Sequence, residues 1–263
     1  MKIITLISSG RKSGNTSRFI TQIESELQKI GKIYEIPMVF ERIQLSELNL
    51  EFCCGCRICF DKGETCCPLN DDLLKLRDRI SGADGIILGS PVYVEDVNGI
   101  MKNWIDRMAF NSHRPAFAGK AAAVITTSGG GSTMHAVNTM ARALNTWGLQ
   151  VAFKAKFRAE SNLPVHEIKA RYHRKIKQTA KTLFDSIQAQ SVGCPSFQSL
   201  MYFKIQQKYW QKNSHAQNNY DYSYWEDKGW VDSSCKYYIP ICSGNLKVMA
   251  ARLAGALVAL FFI

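Results

Sequence analysis

The chain has 263 residues, is 46% hydrophobic, carries a formal charge of +11 and contains nine cysteines. That supports a real core in one large domain, or in one domain with an extension, and favours anionic partners without choosing among them. It holds no run of the roughly 18 apolar residues that a spanning helix needs, and no secretory signal follows Lys2, so a cytoplasmic protein is expected. In that compartment its cysteines are not read as structural disulfides.

Residues 3–7, Ile-Ile-Thr-Leu-Ile, form an apolar strand that runs into a loop of small, hydroxylated and cationic residues, 8–16. Gly10 and Gly14 suit a backbone folded around an anion. Ser9, Ser13, Asn15 and Thr16 offer donors, and Arg11 and Lys12 offer charge. The following helix adds its unpaired N–H groups and the positive end of its dipole. Two phosphate cradles are excluded. Gly14 is followed by Asn15-Thr16 rather than Lys-Ser/Thr, and the glycine spacing does not give G-x-G-x-x-G. What remains suits a terminal phosphate monoester.

Phe19, Ile20, Ile23, Leu27 and Ile30 predict an amphipathic helix over 16–30, ended by Gly31. A second strand is expected at 39–44. A cysteine-rich segment, 53–67, precedes a helix capped by Asn70 or Asp71 and running to Ile80. Residues 85–89 read as a strand buried on both faces, with Ser90-Pro91-Val92-Tyr93 leaving its end. A helix at 98–110, a strand at 121–126, a loop at 127–132, a helix at 133–147, a strand near 151–157 and a helix at 165–188 complete the series. The cluster Lys169, Arg171, Arg174, Lys175, Lys177 and Lys181 reads as a solvated helix face.

Five alternations of strand and helix predict an α/β fold with a doubly wound, five-stranded parallel sheet in the order 2-1-3-4-5. In that order the loops after strands one, three and four meet on one rim. They suggest flavin mononucleotide (FMN). Ser9, Arg11, Ser13, Asn15 and Thr16 would hold the phosphate. Pro91, Val92 and Tyr93 would run along the ring edge, and Thr127, Ser128, Gly129 and Gly130 would leave the ring room. The flavin carries the hydride chemistry, so no protein acid, base or nucleophile is called for. His135 is read as a helix-start residue. Residues 191–263, dense in Tyr and Trp, read as a mainly helical extension that packs on the sheet unit, here 1–190, or on a second subunit. A membrane-surface anchor formed by the apolar last segment is the alternative.

Taken in order, Ser8-Ser9-Gly10-Arg11-Lys12-Ser13-Gly14-Asn15-Thr16, Cys53-Cys54-Gly55-Cys56-Arg57-Ile58-Cys59, Asp71-Asp72, Ser90-Pro91-Val92-Tyr93 and Asn98-Gly99-Ile100-Met101-Lys102-Asn103-Trp104-Ile105-Asp106-Arg107 resemble one known group. It is the NADPH-dependent FMN reductase and iron–sulfur flavoprotein group of the flavodoxin-like superfamily. The resemblance covers roughly residues 1–190. It implies a flavodoxin-like fold, bound FMN, reduction by NAD(P)H, and a homodimer or homotetramer in which a neighbouring subunit completes the flavin site.

Cys53, Cys56 and Cys59 have x2, x2 spacing, and Cys66 follows after six residues. A compact thiolate run of this kind can wrap a 4Fe-4S cluster, and the iron–sulfur flavoproteins use a similar one. Cys54 and Cys67 leave the fourth ligand open. A zinc site, a redox-active pair and packing thiols are the alternatives. The leading expectation is an FMN-dependent NAD(P)H oxidoreductase acting on a small acceptor such as a quinone or nitro compound. An iron–sulfur electron carrier with a ferredoxin-like partner, and a non-enzymatic redox sensor, are the rivals. No nucleic-acid-binding motif is present.

Overall fold

The protein is described by a computed structural model over residues 1–189, 195–213, 220–241 and 244–262. Its strands are β1 (Lys2–Ile7), β2 (Val39–Gln44), β3 (Gly85–Tyr93), β4 (Asp96–Val97), β5 (Ala121–Ser128) and β6 (Gln150–Arg158). The helices are α1 (Asn15–Ile33), α2 (Ile58–Asp61), α3 (Leu73–Ser81), α4 (Gly99–Arg107), α5 (Met134–Thr146), α6 (Val165–Gln188), α7 (Phe197–Lys212), α8 (Tyr220–Asp227) and α9 (Asn245–Phe262). Five parallel strands lie in the order β2-β1-β3-β5-β6.

The continuous apolar runs follow from burial on both faces. Ile4, Leu6, Ile86, Leu88 and Val124 join one core with α3, α4 and α5. Ile3, Ile7, Ile87, Ala123 and Ile125 join the other with α1 and α6. Alternate residues of β1, β3 and β5 therefore feed opposite layers, and the one buried hydroxyl of β1, Thr5 Oγ1, donates to Glu24 Oε1 at 2.7 Å.

The structure corrects the expected sheet in two ways. A sixth strand, β4, pairs antiparallel with the end of β3, Val92 facing Val97 and Tyr93 facing Asp96. The hairpin between them turns on Val94 and Glu95, whose φ values are 48° and 66°. Neither is the Gly or Asn that normally signals such a turn, which hid the hairpin. In addition, 90–93 and 127–128 belong to strands rather than to loops. Their polar side chains suggested a break, but the backbone pairing of Ser90 with Thr126 and of Ser128 with Arg158 continues.

Gly31 does not end α1. It lies inside the helix, where an added Cβ would come within 2.4 Å of Met38 Cγ and 2.7 Å of the Ile36 carbonyl oxygen. It is there for close packing, and the helix closes two residues later, Tyr34 N–H bonding Ile30 O. On α6 the six basic residues are exposed, and Arg171 and Lys181 pair with Glu167 and Asp185 one turn away.

Beyond the sheet unit, α7, α8 and α9 enclose a third core containing Phe203, Trp210, Trp225, Trp230 and Tyr237. It packs on the sheet unit. Trp225 Nε1 donates to the His113 carbonyl at 2.6 Å and Gln206 Nε2 to the Ser112 carbonyl at 2.6 Å. The boundary expected at 190–191 lies outside the described residues. Among the described residues no helix is long and apolar enough to cross a membrane.

Candidate functional site

The carboxyl ends of β1, β3 and β5 are tied together by direct hydrogen bonds. Ser8 N–H donates to Gly89 O at 3.0 Å, and Ser8 Oγ donates to Ser90 Oγ at 3.1 Å. Thr16 Oγ1 and Thr127 Oγ1 lie 2.7 Å apart. Asn98 caps α4 by accepting from Met101 N–H, and its Nδ2 donates to Ser8 O at 2.6 Å. Residues from the three expected loops are thus brought to one rim.

The first loop leaves β1 buried at Ser8 and Ser9 and is exposed from Gly10 to Ser13. Arg11 N–H bonds Ser9 Oγ at 3.3 Å, and Gly14 N–H bonds Arg11 O at 3.2 Å, closing a tight turn. Gly14 stands at the N-cap of α1 with no side-chain cap. The N–H groups of Asn15, Thr16 and Ser17 therefore lack an intrahelical partner, as at any helix start. Ser17 Oγ is also buried without a partner. Lys12 pairs with Glu47 at the surface.

Three expected phosphate donors are engaged within the chain: Ser9 Oγ donates to Arg11 O at 3.3 Å, Thr16 Oγ1 is paired with Thr127 Oγ1, and Asn15 reaches furthest away. Asn15 Nδ2 donates to Glu160 O at 2.7 Å, and Asn15 Oδ1 accepts from Leu163 N–H at 3.2 Å. Its side chain ties α1 to the segment after β6 and leaves only its backbone N–H for an anion.

On β3, Pro91 and Val92 are half-buried and Tyr93 is exposed. Thr139 Oγ1 donates to Asp96 Oδ1 at 2.9 Å, so α5 steadies the hairpin. In the third loop, Gly130 N–H donates to Ser128 Oγ at 3.2 Å, and that hydroxyl donates to Gly131 O at 3.1 Å. An added Cβ at Gly10, Gly129 or Gly130 would meet nothing within 4 Å. Open N–H donors, an unpartnered hydroxyl and clear space above three glycines fit a phosphate monoester carrying a flat ring. His135 is exposed on α5.

Sequence reasoning missed Gln44, whose Nε2 donates to the Ser9 carbonyl, and Arg158, exposed and in register with Ser128. Each ends a strand, which is the one signal that could have marked them.

The cysteine segment is anchored on α4, Cys53 N–H donating to Asn103 Oδ1 at 3.4 Å. Arg107, buried against Asp71, donates to Asp71 Oδ2 at 2.5 Å and to Glu51 O at 2.7 Å. Burial opposes ionisation of Asp71. The hydrogen bond from Arg107 and those from Leu73 and Glu51 N–H outweigh it and hold the carboxyl below its usual range. Cys53, Cys54, Cys56, Cys59 and Cys67 line one cavity of about 90 Å³. Burial, then neighbouring Cys67 and Cys53, push the Cys59 thiol up. Cys66, expected as the fourth ligand, is exposed and does not line that cavity, whereas the adjacent Cys67 does. Among the described residues no three His, Cys, Asp or Glu side chains converge on a single metal position. The thiols ring a cavity rather than a point.

The family profile described as NADPH-dependent FMN reductase matches residues 1–161. An iron–sulfur flavoprotein of Archaeoglobus fulgidus is 29% identical over 233 residues, covering 88% of this chain and all of that protein. An iron–sulfur flavoprotein of Clostridioides difficile is 37% identical over 107 residues, covering 40% of this chain and 45% of that one. Among solved structures, a flavone reductase aligns with a TM-score of 0.55 at 19% identity, covering 74% of this chain and 68% of that chain. RosB with a bound 8-demethyl-8-formylriboflavin-5'-phosphate intermediate aligns with a TM-score of 0.53 at 11% identity, covering 72% and 79%. These two likenesses show the shared flavodoxin-like fold.

Proposed function

The chain belongs to the NADPH-dependent FMN reductase family and is an oxidoreductase, and from that premise we propose that it binds FMN on the rim formed by β1, β3 and β5. The observation that carries this reading is the pair of contacts Ser8–Ser90 and Thr16–Thr127, which join the end of β1 and the start of α1 directly to the ends of β3 and β5. The start of α1, with the N–H groups of Asn15, Thr16 and Ser17 and the exposed hydroxyl of Ser13, holds the phosphate. Arg11 adds charge from the exposed side. Pro91, Val92 and Tyr93 orient the ring edge, and the fixed hairpin with β4 keeps that edge in place. Gly129 and Gly130, with nothing within 4 Å of an added Cβ, leave room for the ring itself. When bound, FMN supplies two-electron chemistry, accepting hydride from NAD(P)H and passing it to a small acceptor such as a quinone or nitro compound. Anaerobic protein loaded with FMN loses its yellow colour on addition of NADPH. Protein that keeps its colour is not a reductase of this kind.

A second reading, an iron–sulfur electron carrier, is favoured by the cysteine-lined cavity. In that reading Cys53, Cys56, Cys59 and Cys67 hold a cubane cluster. Reconstituted protein then contains about four iron and four labile sulfide per chain. Cys67→Ser removes the cluster absorption and Cys66→Ser keeps it.

A further inference from the structure

α9 has two unlike faces. Val248, Ala251, Gly255 and Ala259 are buried. They are small, and an added Cβ at Gly255 would come within 2.6 Å of the Met201 carbonyl oxygen, so α9 lies tightly along α7. The opposite face carries Leu246, Met249, Leu253, Leu257, Leu260 and Phe261, from 50% exposed at Leu257 to 84% at Phe261. Leu246, Met249, Leu253, Leu257 and Leu260 recur three or four residues apart and form one stripe along the helix. No charged residue lies between Leu253 and Phe262. A contiguous large-apolar stripe of this kind marks a surface that something covers.

Size and charge choose the occupant. α9 has 18 residues. At 1.5 Å per residue and a width of about 10 Å, its stripe covers a few hundred Å² at most, well below the roughly 800 Å² per partner of a stable protein interface. A lipid surface sets no such threshold and no shape to match. The charged residues of α7 and α9 are all basic, Lys204, Lys208, Lys212, Lys247 and Arg252; Lys204 is buried against Gln207, which leaves Lys208 and Lys212 exposed on α7. Lys247 and Arg252 bond backbone carbonyls, those of Pro195 and Cys235, so those contacts leave their charge unneutralised. We propose that α9 lies on the surface of an anionic bilayer, its leucine stripe sunk to the acyl boundary and Lys247 and Arg252, which flank the stripe, toward the headgroups. It rests on the membrane and does not span it.

Flotation of the full chain with vesicles tests this, using phosphatidylcholine alone and phosphatidylcholine mixed with phosphatidylglycerol. The protein floats with the anionic vesicles, less so at high salt, and little with the neutral ones. Leu253→Glu with Leu257→Glu cuts the bound fraction at least about tenfold, as expected for two leucines withdrawn from hydrocarbon. Leu260→Ser alone lowers it less. These side chains face outward, so thermal melting of each variant stays at the parent value and confirms folding. The proposal is overturned if the parent fails to float with anionic vesicles or if the glutamate variant floats as well as the parent. A parent dimer that the glutamate substitutions split, with no vesicle binding, assigns the stripe to a second copy and likewise overturns it.

Discussion

Arg114 and Asp221, 107 residues apart in sequence, form a buried ion pair that fastens the C-terminal extension to the cysteine segment. The other guanidinium nitrogen of Arg114 donates to Cys59 O at 2.6 Å and to Glu64 Oε2 at 2.9 Å. The Tyr220 ring covers the guanidinium at 4.8 Å, and Asp221 Oδ2 meets His113 Nδ1 at 2.6 Å. One side chain thus fixes α8 and the cysteine loop to the segment that precedes β5.

Asp221→Ala leaves Arg114 buried with only Glu64 as a carboxylate partner. We expect a loss of about 2–4 kcal/mol, toward the lower end of what breaking a buried pair costs. Denaturant unfolding measures it. The two half-buried thiols of that segment, Cys59 and Cys67, also react faster with a thiol reagent in this variant, because the loop is released. Unchanged stability with unchanged thiol reactivity contradicts the role given to this pair.

Stability falls on acidification through Asp71. Its folded carboxyl titrates below the ordinary value of about 3.9. The contribution is therefore full above that value and is lost as pH falls toward the folded pKa. Asp71→Asn removes this part of the acid limb. The parent and variant melting curves converge as pH drops below about 4. Curves that stay parallel through that range refute the assignment.

Gly31→Ala destabilises the protein by about 1–3 kcal/mol, since the new methyl overpacks against Met38 and the Ile36 carbonyl. A residue that merely ended the helix would show the opposite sign, because Ala propagates a helix better than Gly by about 1 kcal/mol.

Arg11 and Asn15 separate binding from folding. Arg11→Ala weakens FMN binding about tenfold with little change in melting temperature, as for loss of one charged contact from an exposed side chain. Asn15→Ala lowers stability by about 1–2 kcal/mol through its lost bonds to Glu160 and Leu163. Isothermal titration and thermal melting of both variants check the contrast.

The parallel sheet was legible because residues 3–7, 85–88 and 121–125 are apolar but for Thr5, a pattern set by burial on both faces. The phosphate loop was legible because its donors are local in sequence. The strand ends were not, since Ser90 and Thr126 look like loop residues until their neighbours supply backbone partners. Nor was the engagement of Asn15, whose partner Glu160 is 145 residues away. Cys66 and Cys67 are adjacent, so spacing cannot say which faces the cavity. Arg114 carried no sequence signal, because Cys59, Glu64 and Asp221 meet it only in the fold.

The flavin rim is tested most directly at Gly129. An added side chain there meets no protein atom and enters the space assigned to the cofactor. FMN titration of the apoprotein, read by quenching of flavin fluorescence, compares the parent with Gly129→Leu. Binding is at least about tenfold weaker in the variant, at an unchanged melting temperature, as expected of a side chain that blocks the cofactor without disturbing the fold. Equal affinity in the two proteins would place the flavin elsewhere and contradict its assignment to this rim.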